Sequence, residues 1–82
     1  MAKYEIMLSF ISNGRQIEKF LGLATNKSEA RRSLIKFSHS YESLGQEVVW
    51  ASDMCIKANR LLGTLDDTKW YETTQIYARR IG

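Results

Sequence analysis

The chain has 82 residues, of which 44% are apolar and 26% charged, and it carries a net charge of +3. That length and composition describe one folded domain, residues 1–82, with a thin core. They exclude a membrane helix, which needs about 20 apolar residues in a row, and the single cysteine, Cys55, excludes an internal disulfide and suits a reducing compartment.

The first predicted element is a β-hairpin. "KYEIMLSFIS" and "RQIEKFLGL" flank Asn13-Gly14, a pair suited to a two-residue turn because both positions need positive φ. Counting outward, Ser12 faces Arg15, Phe10 faces Ile17, Leu8 faces Lys19, Ile6 faces Leu21 and Tyr4 faces Leu23. One face then holds Tyr4, Ile6, Leu8, Phe10, Ile17, Leu21 and Leu23. The other holds Glu5, Ser9, Gln16 and Glu18, with Met7, Ile11 and Phe20 among them. A slip of one residue would scramble this alternation. Lys19 is the misfit on the inner face, where its stem can lie along the sheet margin.

A helix follows, expected over residues 27–44. Asn26 can cap it and Glu29 can reach back toward the cap. Ala30, Leu34, Phe37, Tyr41 and Leu44 recur at three-four spacing along one face. Gly45 suits a left-handed stop. "EVVWASDMCIKA" alternates again and is read as a third strand, with Val48, Trp50, Met54 and Ile56 on one side. A helix over residues 53–62 is the competing reading, because Met54, Ala58, Leu61 and Leu62 also fit helical spacing. "RLLGTLDDTKWYETTQIYARR" is read as a second hairpin turning at Asp66-Asp67-Thr68, rich in strand formers. The expected fold is α+β: a two-layer sandwich with an antiparallel sheet of four to five strands and one helix on one face. The order is ββα followed by two or three strands.

Catalytic chemistry is sparse. His39 and Cys55 are the sole residues of their types, and neither sits in a motif that would activate a nucleophile. No zinc-ligand spacing, phosphate-binding loop or dinucleotide-binding turn is present. Asp66-Asp67 reads as turn chemistry. No metal, no cofactor and no enzymatic activity are expected.

Two surfaces remain as binding candidates. The positive charge is concentrated in the first forty residues, which carry +4, against −3 for residues 41–78. Arg32, Lys36 and His39 form one stripe on the predicted helix, with Lys27 and Arg31 beside it. Arg79 and Arg80, near Tyr71 and Tyr77, could extend it. Such a stripe can face phosphates, or it can be the solvated side of a helix. The second candidate is the sheet face away from the helix, where Met7, Ile11 and Phe20 are expected to be exposed and to mark a protein interface. Edge-strand pairing offers a route to a homodimer. The N-terminal Met-Ala-Lys-Tyr-Glu lacks the build of a signal peptide, so a cytoplasmic location is expected.

The hairpin "KYEIMLSFISNGRQIEKFLGL", the helix start "TNKSEARR" and the closing strands "DDTKWYETTQIYARR" together resemble the layout of small phage counter-defence proteins. Anti-CRISPR proteins and phage inhibitors of toxin ribonucleases are of this kind. The resemblance covers most of the chain as architecture and rests on no diagnostic motif. It implies stoichiometric binding to a host nuclease or nuclease complex, with no catalysis, in the cytoplasm of a host cell. RNA held by that complex could be a co-ligand. The alternative is a stand-alone RNA- or DNA-binding module that uses the basic helix face.

Overall fold

The structure, a computed structural model, describes residues 3–82. Its elements are β1 (Tyr4–Ser12), β2 (Arg15–Ala24), α1 (Lys27–Ser43), β3 (Glu47–Ser52), β4 (Cys55–Leu65) and β5 (Thr68–Arg80). The strands form one antiparallel sheet in the order β2-β1-β5-β4-β3. The chain leaves the sheet at one edge, β2, and re-enters at the other, β3. α1 makes that crossing over one face and touches every strand. This is the α+β architecture expected from the sequence, with five strands and a single helix among the described residues.

Asn13 (φ 51°) and Gly14 (φ 75°) make the first hairpin turn with both residues left-handed. The register then runs as counted for Ser12↔Arg15, Phe10↔Ile17 and Leu8↔Lys19. A bulge at Leu21 shifts it, so that Ile6 faces Gly22 and Tyr4 faces Ala24. The expected pairs Ile6–Leu21 and Tyr4–Leu23 are therefore wrong, and Leu23 turns to the open face, opposite Glu5. Size accounts for the correction. Ala24 is buried in the same cluster as Ala30 and Leu34, and a small residue there lets α1 pack closely on the sheet. Lys19 stays on the inner side, its ammonium 5.9 Å from the Phe10 ring.

α1 is closed at both ends. Asn26 accepts the Glu29 amide at 2.8 Å. Glu29 does not reach back to the cap but takes the Thr25 hydroxyl at 2.7 Å. At the far end Gly45 (φ 83°) donates to Glu42 and Gln46 donates to Tyr41, the paired bonds of a Schellman stop. Ala30 and Leu34 are fully buried, and Phe37 and Tyr41 pack partly against the same cluster. Leu44 was expected on this face, but as the C-cap it swings out and is 72% exposed. Ile56 and Ile76 face each other across β4 and β5 and, with Leu34, are the largest fully buried side chains.

The stretch expected as a third strand is two strands. The chain turns at Asp53-Met54, where the Ser52 hydroxyl accepts the Met54 amide at 3.2 Å. Neither turn residue has positive φ, so the turn carries no Gly or Asn signal. The alternative helix over 53–62 is also excluded, because β4 runs from Cys55 to Leu65. The last turn falls at Asp66 (φ 50°) and Asp67 (φ 63°). The molecule measures 51 × 26 × 18 Å, with a radius of gyration of 14.0 Å. A compact chain of this length would have about 12 Å. The excess comes from the far ends of β4 and β5.

Candidate functional site

The pairing of β1 with β5 ends at Phe10↔Thr74, and that of β3 with β4 ends at Glu47↔Asn59. β4 and β5 continue without neighbours to the Asp66-Asp67 turn. Arg60 to Thr73 is thus a two-stranded arm projecting from the end of the sheet, and no residue in it is buried. A hairpin of this kind is only marginally stable by itself in water. It is braced by the Thr73 hydroxyl donating to Asn59 Oδ1 at 2.7 Å and by an Arg60–Glu72 ion pair at 3.0 Å.

What the arm displays is apolar. Leu61, Leu62, Leu65, Trp70 and Tyr71 leave between 45% and 64% of their surface exposed. Leu61 and Tyr71 face each other on the open side of the sheet, and Leu62 is the extra residue of a bulge beside them. Trp70, opposite Gly63, and Leu65, opposite Thr68, fall on the helix side. At the arm's base, Ile11, Leu62, Tyr71, Glu72 and Thr73 line a groove of about 390 Å³. Concentrated apolar exposure on so small a chain is a mark of an interaction surface.

The basic residues named from the sequence do not form one patch. Arg32, Lys36 and His39 are exposed on α1, and none of them is in an ion pair among the described residues. Lys27 is engaged, 3.0 Å from Asp53. Arg31 lies over the Trp50 ring at 5.5 Å. Arg79 is on the opposite face of the sheet, forked onto Glu5. Arg80 alternates to the helix side, paired with Tyr4 in the ladder and donating to the Gly82 carbonyl. Arg79 and Arg80 cannot extend the helix stripe together, because successive strand residues point to opposite faces.

The expected exposed trio is also divided. Met7 is only 8% exposed, which corrects its assignment to an open interface. It lies on the inner strand β1 between Phe20 and Tyr77. Tyr77 donates across β1 to Glu18 at 3.2 Å, and Gln16 donates to Ser9 at 3.0 Å. These side chains close over the middle of the face. Burial, and after it the bond to Glu18, pushes the Tyr77 phenol above its ordinary value. Phe20 is exposed beside Leu23 at the β2 edge, while Ile11 belongs to the groove at the arm's base.

Cys55 accepts from Gln75 at 3.0 Å on this polar face, whereas His39 is exposed on the helix across the sheet. The two do not meet. Among the described residues no group of three or more His, Cys, Asp or Glu could hold a metal ion, and no helix is long and apolar enough to cross a membrane. No protein-family model matches the chain, and no characterised protein or solved structure matches it either.

The arm is what sequence reasoning missed. The second hairpin is legible in the sequence, but not that it outruns its neighbours. Strand lengths held the signal. The run from Cys55 to Leu65 and the run from Thr68 to Arg80 are 11 and 13 residues long, against 9 for β1 and 6 for β3.

Proposed function

We propose that this chain is a non-catalytic protein-binding module whose docking element is the β4–β5 arm. The observation that carries the reading is the set of five large apolar side chains displayed on an arm that contributes nothing to the core. Anchors of this kind, Trp and Tyr above all, carry most of the energy of protein interfaces. The arm is apolar on both sides, which suits insertion into a cleft better than contact with a flat surface. Its charge, −1 over residues 60–73 with Asp66 and Asp67 at the tip, is the wrong sign for a nucleic-acid backbone. The resemblance to phage counter-defence inhibitors supplies the partner class: a host nuclease or nuclease complex, blocked by occupancy.

The test is capture from host lysate, with and without nuclease digestion, by three chains. They are the unchanged protein, a Leu61→Ser/Leu65→Ser/Trp70→Ser variant, and an Arg32→Ala/Lys36→Ala variant. The reading predicts a protein captured after digestion, lost with the arm variant and kept with the helix variant. Capture that survives the arm changes, disappears with the helix changes and weakens steeply with salt would instead establish nucleic-acid binding.

A further inference from the structure

The arm has an unused backbone edge as well as unused apolar side chains. β5 is paired with β1 from Thr74 to Arg80. From Thr68 to Thr73 its β1-side edge makes no ladder pair with β1. An unpaired, apolar strand edge is a template for another strand, and the strand most suited to it is its own copy. We infer that two copies of this chain associate through their arms, β5 edge to β5 edge and antiparallel, with Trp70 nearest the two-fold axis. This rests on the reading of the arm as the docking element and names the partner that the arm takes in the free protein.

The geometry follows from symmetry. A two-fold axis between antiparallel strands places a residue opposite its own copy. Trp70 lies near the middle of that unpaired edge. Centring there puts Trp70 against Trp70 on the helix side, an aromatic cross-strand pair. It also puts Tyr71 opposite Lys69 of the other copy on the open side, a cation–π pair. The tip of each arm then reaches the base of the other. The groove lined by Ile11, Leu62 and Tyr71 lies there.

Charge favours this occupant. Asp66 and Asp67 at the tip form no ion pair among the described residues, and neither does Arg15. Arg15 begins β2 directly after the Asn13-Gly14 turn, at the same end of the sheet as the arm's base. The acidic tip of one copy therefore approaches the basic turn of the other.

Sedimentation of the full-length chain over a range of concentrations tests the association, and an engineered disulfide tests its register. The unchanged chain is expected to pass from monomer to dimer as concentration rises. Trp70→Cys in a Cys55→Ser background should give a reducible covalent dimer on mild oxidation, while His39→Cys in that background stays monomeric. Arg15→Glu should weaken the dimer at least tenfold, and adding Asp67→Arg should restore it. A chain that is monomeric at every concentration overturns the inference, as does equal cross-linking through His39→Cys. A monomer that still loses its lysate partner on changing Leu61, Leu65 and Trp70 overturns the dimer but leaves the arm as docking element. A dimer whose lysate capture ignores those three changes does the reverse.

Discussion

The body of this protein and its arm are made of the same two strands. From Cys55 to Asn59 and from Thr74 to Ala78, β4 and β5 lie between β1 and β3 and beneath α1, and Ile56 and Ile76 are wholly buried. A few residues further on the same ladder carries leucines and aromatics with nothing over them. Burial differs because the neighbours stop, not because the sequence becomes less apolar. Hydrophobicity along a strand therefore does not by itself say whether a side chain serves folding or binding. Its neighbours decide, and the arm's apolar residues are available for binding because β1, β3 and α1 end short of them.

The comparison breaks most readily in the body. Leu34→Ala removes a fully buried side chain between α1 and the Ile56–Ile76 pair, and the expected loss is about 3–5 kcal/mol. In a domain of ordinary marginal stability that leaves little folded protein. A chemical denaturation midpoint close to the unchanged chain would show that the helix is not seated as described. Gly14→Val forces a β-branched residue to φ 75° and should cost about 1–3 kcal/mol in the same measurement. An unchanged midpoint would disprove the left-handed turn that sets the first register.

In the arm the expected effects on stability are much smaller. Leu61→Ser, Leu65→Ser and Trp70→Ser should each shift the stability of the monomer by under about 0.5 kcal/mol, whatever they do to association. Thermal melts in dilute solution read this, and a loss the size of the Leu34→Ala effect would mean that the arm belongs to the core. The smallest effect is at Asp53, whose carboxyl is held below its ordinary value by the hydrogen bond and charge of Lys27. Because the folded value is the lower one, the pair's contribution is present above the ordinary aspartate range. It is lost as pH falls through the lowered value. An NMR titration of Lys27→Met should move Asp53 back toward its ordinary value, and an unmoved titration would remove the pair from the account.

Much of the body was legible in the residues. Asn13-Gly14, Asn26 and Gly45 mark their turn and caps through conformations that few other residues favour. Three-four spacing placed the buried face of α1, with Leu44 alone misassigned because it follows the last helical turn. The second half of the first register was not legible. The bulge at Leu21 is set by how closely α1 packs on Ala24, a tertiary demand that strand alternation does not encode. The Asp53-Met54 turn was missed because its signal is one serine hydroxyl. The candidate site was the least legible part. Leu61, Leu62, Trp70 and Tyr71 read as ordinary strand residues, and only the lengths of β1 and β3 leave them uncovered. Of the basic residues, a strand sends Arg79 and Arg80 to opposite faces, and Lys27 is occupied by Asp53.

Amide hydrogen exchange, followed residue by residue in the dilute monomer, tests most directly the claim that the arm stands outside the cooperative core. The account predicts strong protection for the inner-strand amides of β1 and for β5 from Thr74 to Ala78. It predicts exchange faster by orders of magnitude between Arg60 and Glu72, because local opening there exposes no core. Protection of the arm amides equal to that of the body in the dilute monomer would contradict it, and would make the arm part of the fold rather than a surface held out for a partner.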